Sequence, residues 1–147
     1  MIGTPELRAA IVAEAMAWLA TPYHHCARFK GVGVDCAQLP AAVYHAVGLI
    51  PDLQPDYSPQ WMLHRDEEQY LAWVRPYARE ITREELRPGD LAMWRFGRTY
   101  SHSAIIIDAP TAIHAMQRAK AVVLTDIDRD GDLIERPALY FSLFAEG

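Results

Sequence analysis

The sequence predicts an α+β domain, with helices in the first half and an antiparallel sheet in the second, and three observations carry that reading. Apolar residues recur at helical spacing near the N-terminus and again after Asp35. Five short β-rich runs follow "RPGD" at 87–90, separated by Gly, Pro or Asp turns. Nowhere do strands and helices alternate in βαβ fashion, so the helices are expected to cover one side of a meandering sheet.

In the first helix Ala9, Val12, Ala13, Met16, Leu19 and Ala20 mark the apolar face, with Thr4 as cap and Pro5 in the first turn. These signals predict a helix over roughly residues 5 to 20. The aperiodic stretch 22–34, "PYHHCARFKGVGV", reads as a loop leading to a second helix that starts at Asp35 and stops at Gly48. A proline-rich connection over 51–61 precedes a third helix, "HRDEEQYLAWVRPYARE", kinked or ended near Pro76. The strand runs are "LAMWRF", "SAIIID", "TAIHAM", "AVVLTDI" and "ALYFSLF".

At 147 residues, with 51% hydrophobic and 22% charged residues, the chain fits one globular domain over 1–147 with a core of its own. The net charge of -5 and the absence of a basic run argue against a nucleic-acid partner. Glu6, Arg8 and Glu14 interrupt the first apolar stretch, which therefore reads as an amphipathic helix and not as a signal peptide or membrane span. The expectation is synthesis in the cytoplasm without an export signal. Two cysteines, Cys26 and Cys36, fit a reducing compartment without a disulfide framework.

The chemistry concentrates at the second helix start. Asp35 and Gln38 stand in capping-box relation, and Val34 and Leu39 in staple relation. With Asp35 as the cap, Cys36 is the first helical residue, where the positive end of the helix favours a thiolate. Its own unpaired backbone N–H could receive an oxyanion. The same position also suits a small buried hydrophobe, so a base is needed before the cysteine reads as a nucleophile. Pro40 stands out because it cannot bond the Cys36 carbonyl. Either the first turn is distorted or the cap lies a residue later.

Of six histidines, His102 and His114 alone fall in strand-like segments of the second half. A three-residue loop at 108–110 would set Ala104 opposite His114, with both histidines on one face about 7 Å apart on the diagonal. Small neighbours would leave room there for the Cys36 helix, with His102 as general base and His114 orienting it. "HHC" at 24–26 together with Cys36 offers zinc ligand types, but the paired spacing of a metal site is missing, and no metal or cofactor is expected.

Four stretches in this order, "TPYHH", "GVDCAQL", "RPGDLAMW" and "HSAIIID" followed by the histidine of "IHAM", resemble the NlpC-type cysteine peptidases, a papain-like group that cleaves peptide stems of bacterial cell walls. The likeness spans residues 5–144. It implies a papain-like fold, Cys36 as nucleophile, His102 as base and His114 as third member of the triad. It also implies Tyr23, with Asp35 beside it, near the oxyanion or substrate site. The implied substrate is a peptidoglycan stem peptide, cleaved through a thioester. The middle segment and the closing "ALYFSLF" look most like the branch in phage and prophage tail genes, which implies tail proteins as partners and a virion-associated place of action. Gln38, Pro40 and Cys26 depart from the family pattern. A tail component that keeps the fold without catalysis, and a thiol acyltransferase, are the alternatives.

Overall fold

A computed structural model describes residues 1–53 and 69–145. Helix α1, Pro5–Met16, is capped by Thr4, whose Oγ1 accepts from the Leu7 N–H at 3.1 Å. A small hairpin of β1 (Arg28–Phe29) and β2 (Gly33–Val34) leads into α2, Gln38–Ala46. Helix α3, Gln69–Val74, is followed by β3 (Arg79–Ile81) and a 3₁₀ turn at Arg83–Glu85. Then come β4 (Leu91–Phe96), β5 (Thr99–Asp108), β6 (Thr111–Met116), β7 (Ala121–Asp126) and β8 (Ala138–Ser142). Strands β3 to β8 form one antiparallel sheet in the order β3-β8-β4-β5-β6-β7.

The α+β expectation holds, with four corrections of detail. Helix α1 ends at Met16 and not at 20, because Trp18 and Leu19 donate to the carbonyls three residues back and Ala20 turns left-handed (φ 68) to donate to the Val122 carbonyl. Its buried face is Arg8, Ile11, Ala15 and Trp18, whereas Leu19 and Ala20 are exposed. Apolar residues fall on more than one side of the helix, so tertiary contacts choose the face. Arg8 can be buried because Nη1 meets Asp90 Oδ1 and the Pro88 carbonyl, each at 2.9 Å, while the guanidinium lies over the Phe144 ring. The third helix ends at Val74, near Pro76 as expected, but Arg79 and Glu80, read with its helical pattern, belong to strand β3. The part of that predicted helix before Gln69, with His64, lies outside the described residues. Finally, β8 inserts between β3 and β4, so only β4 to β7 form the expected meander.

Helix α2 ends as its Gly48 predicts. Gly48 has φ +82, its N–H donates to His45 and that of Leu49 donates to Tyr44, the paired bonds of a Schellman turn. The sheet has two buried faces. Leu91, Met93, Ile105 and Ile113 pack against Ile11, Leu39 and Val43 of the helices. Ala92, Trp94, Ala104, Ile106 and Ala112 face the other way, towards Ile127 and Leu133 of the C-terminal crossing.

Candidate active site

The turn before α2 is held by one carboxylate. Asp35 Oδ1 accepts from the N–H groups of Ala37 (3.1 Å) and Gln38 (2.8 Å), and Oδ2 accepts from the N–H of Cys26 (2.7 Å). Asp35 therefore caps the helix as expected, and it also ties down the preceding loop. The return half of the capping box is replaced: Gln38 Oε1 accepts from Arg28 Nε at 2.7 Å, and Arg28 reaches on to Asp52 Oδ1 and the Leu53 carbonyl. Gln38 is thus a buried strut between β1 and α2.

Cys36 lies in a turn two residues before the regular helix and is 8% exposed. Its Sγ–H donates to the Ser101 carbonyl at 3.4 Å, and the Tyr23 hydroxyl and the N–H groups of Cys36 and Ser103 are directed at the sulfur. Ser101 and Ser103 flank His102, so the thiol is docked on the backbone of β5 on either side of that histidine. Room exists because the β5–β6 pairing begins only at Ile105↔Ile113, leaving this end of β5 for Cys36.

The turn is shorter than the three-residue loop expected, since Asp108 pairs with Thr111, but a bulge between Ile106 and Asp108 brings the strands to the same register: Ile105 pairs with Ile113, which continued one step sets Ala104 opposite His114. His102 Nε2 and His114 Nδ1 are 2.8 Å apart, and both rings are buried. The face they occupy differs from the expectation. Ser103 and Ile105 point to α2, whereas His102 shares the opposite face with Trp94 and Phe96, whose ring centroids lie 6.0 and 5.1 Å from its own. Strand alternation enforces this, since α2 packs on the odd-numbered residues. The thiol is therefore docked on the backbone of β5 at Ser101 and Ser103, while the His102 ring lies on the opposite face of the strand.

The electrostatics of the resting site also differ from the helix-terminus argument. Burial pushes the Cys36 thiol up to about 12, and the Asp35 carboxylate adds to the rise, against smaller opposite effects from Tyr23 and the two backbone N–H groups. The expected depression of the thiol pKa is outweighed by desolvation. Burial, then the neighbouring His114 and Arg136, hold His102 well below the usual histidine range. Burial brings His114 down to about 4 against the pull of Asp130 and Asp132. Tyr23 is raised by burial and by Cys36 and Asp35, so its hydroxyl stays a donor. Burial thus favours the neutral form of the thiol and of both imidazoles.

Ser103 and Tyr70 were not anticipated. Ser103 Oγ donates to the Cys36 carbonyl at 2.7 Å and lies 2.8 Å from the Tyr70 hydroxyl. The signal that points to such a partner is Pro40, which leaves that carbonyl without its helical donor. On the far side of this turn Ala37, Pro40, Ala41, Tyr70 and Trp73 line an apolar cleft. His25, Cys26 and Asp35 have ligand atoms within 4.8 Å of one another, a set of metal-ligating types whose Asp35 oxygens already accept three backbone N–H groups.

A model of the NlpC/P60 family matches residues 20–132. Among solved structures, the NlpC/p60 domain of the peptidoglycan hydrolase SagA superposes with a TM-score of 0.66 at 22% identity, over 90% of this chain and 96% of that one. NlpC1 from Trichomonas vaginalis gives 0.69 at 14% identity, over 98% of this chain and 46% of that one, so the present chain spans under half of that protein. RipD from Mycobacterium tuberculosis, described as a non-catalytic NlpC/p60 domain protein adapted to peptidoglycan binding, gives 0.60 at 13% identity, over 95% and 98%. No curated protein matches the chain.

Proposed function

The chain belongs to the NlpC/P60 family, and on that premise we propose that it is a cysteine amidohydrolase cleaving peptidoglycan stem peptides, at the γ-D-glutamyl to diamino-acid bond. One observation carries the reading: the Cys36 thiol is bonded to the backbone on both sides of His102, whose ring is in turn bonded to His114. His102 Nε2–H donates to His114 Nδ1 in the productive tautomer, which leaves His102 Nδ1 as the base. It takes the thiol proton as sulfur attacks the amide carbon. The oxyanion is met by the Cys36 N–H and the Tyr23 hydroxyl. The C–N bond breaks, the amine leaves with the proton from His102, and water activated by the same nitrogen hydrolyses the thioester. Because thiol and imidazole are both neutral at rest, proton transfer accompanies attack and no preformed ion pair is required.

The raised thiol pKa favours a second reading, a wall-binding domain without catalysis, as RipD is described. The setting we propose, a phage or prophage tail, rests on the likeness of the middle and closing segments alone. Mass spectrometry of muropeptides incubated with the protein and with Cys36→Ala decides between the readings. Hydrolysis is expected for the first and lost in the second; identical products overturn it, and an added amine in place of water identifies acyl transfer.

A further inference from the structure

Pro40 removes one hydrogen from the first turn of α2, and the surrounding bonds show where it is missing. Leu39 N–H donates to the Asp35 carbonyl (3.1 Å) and Ala41 N–H to that of Ala37 (3.5 Å), so the ladder is in register on both sides of position 40. The acceptor between them is the Cys36 carbonyl, which proline cannot serve. A buried carbonyl without a donor is costly, and Ser103 Oγ, coming from β5, fills the place at 2.7 Å. Its single hydrogen being used there, the 2.8 Å contact with Tyr70 has Tyr70 as the donor.

We propose that Ser103, supported by Tyr70 of α3, is a positioning residue that takes over the hydrogen bond deleted by Pro40 and thereby clamps Cys36 against β5. The inference rests on Cys36 being the nucleophile. Ser103 grips the same residue twice, by its hydroxyl at the carbonyl and by its backbone N–H at the sulfur. A helical N–H from position 40 would fix the turn only to its own helix. The bond to Ser103 fixes it to the strand that carries His102, so nucleophile and base share one frame. Tyr70 extends that frame to α3.

The test is a cycle of Ser103→Ala and Pro40→Ala in the full chain, read by kcat and KM on a stem peptide and by urea unfolding. Ser103→Ala is expected to lower kcat by about tenfold, the worth of one buried hydrogen bond, with KM within about twofold. Adding Pro40→Ala supplies the missing N–H to the Cys36 carbonyl, which should restore most of the lost stability but only part of kcat, since the tie to β5 is still absent. Tyr70→Phe, a milder change that keeps the Ser103 bond, should lower kcat by about twofold to threefold, and it serves if Ser103→Ala does not fold. Loss of stability with kcat unchanged would reduce Ser103 to a structural role and overturn the proposal. If the unmodified protein cleaves nothing, the reading of function fails, and the cycle is then judged by unfolding: additive losses overturn the Ser103-for-Pro40 substitution, and suppression by Pro40→Ala supports it.

Discussion

Cys26 and Cys36 hang from the same carboxylate and live in opposite surroundings. Asp35 Oδ2 holds the Cys26 N–H, while Oδ1 caps the turn that carries Cys36. Cys26 is exposed with a left-handed backbone (φ 63), and Cys36 is buried with its thiol pushed up to about 12. Access and chemical placement are thus separated: the exposed sulfur is that of Cys26, and the sulfur docked on the strand that carries His102 is enclosed.

The sharpest break in this comparison is by alkylation. With a pKa of about 12, on the order of one Cys36 in 10⁴ is thiolate at pH 8, and the sulfur is enclosed as well. Iodoacetamide should therefore modify Cys26 at least about 100-fold faster than Cys36 in the native protein, with the two rates converging in denaturant. Peptide mapping over time measures the ratio. Faster labelling at Cys36 would mean an activated resting thiolate and would refute the neutral site described above.

The second break concerns the paired histidines, His102 and His114. His114 is brought down to about 4 by burial, so between its unfolded value near 6.5 and 4 the unfolded chain binds a proton that the folded chain refuses. Stability is full above pH 6.5 and falls as the pH drops towards 4, by roughly 3 kcal/mol for this group. His102, shifted in the same direction, adds to the loss. Urea midpoints between pH 7 and 4 should show the decline, and His114→Gln should flatten it. An unchanged slope would show that the imidazoles accept protons in the fold.

Much of this site was legible in the residues, for local reasons. Asp35 caps because its carboxylate reaches the N–H groups two and three residues on, and Gly48 stops α2 because glycine takes a positive φ cheaply. The His102–His114 register is the one expected, reached by a two-residue turn at Ala109–Pro110 with a bulge before Asp108 instead of a three-residue loop, a short-range matter either way. What escaped depends on partners distant in sequence. The buried face of α1 is chosen by Asp90 and Phe144, and β3 exists because β8 returns to pair with it. The thiol pKa was misread because the helix-end charge is visible in sequence whereas desolvation is not. Ser103 reads as one polar residue in a strand until Pro40 is seen to have left a carbonyl for it.

Cutting the shared carboxylate tests whether the two cysteine regions are one unit. Asp35→Asn keeps a single acceptor oxygen where three N–H groups converge, and presents an NH₂ group to one of them. A loss of about 2 kcal/mol is expected in urea unfolding. The like charge beside Cys36 also goes, so the pH profile of its alkylation should move down even as the fold weakens. A profile that stays in place would remove Asp35 from the causes of the raised thiol.

The smallest cut is at Gln38, the other tie between the regions. Its Oε1 accepts from Arg28 of β1, two residues beyond Cys26, while its backbone N–H is capped by Asp35. Gln38→Ala removes the strut and leaves the cap, and Arg28 keeps Asp52 and the Leu53 carbonyl as partners. The expected loss is about 1 kcal/mol, less than for Asp35→Asn, because the guanidinium is not stranded. Protection of the Cys26 N–H against hydrogen exchange should fall while that of Ala37 and Gln38 holds, since only the β1 side is released. Equal loss at both would mean that the strut, and not the carboxylate, couples the exposed cysteine to the buried one.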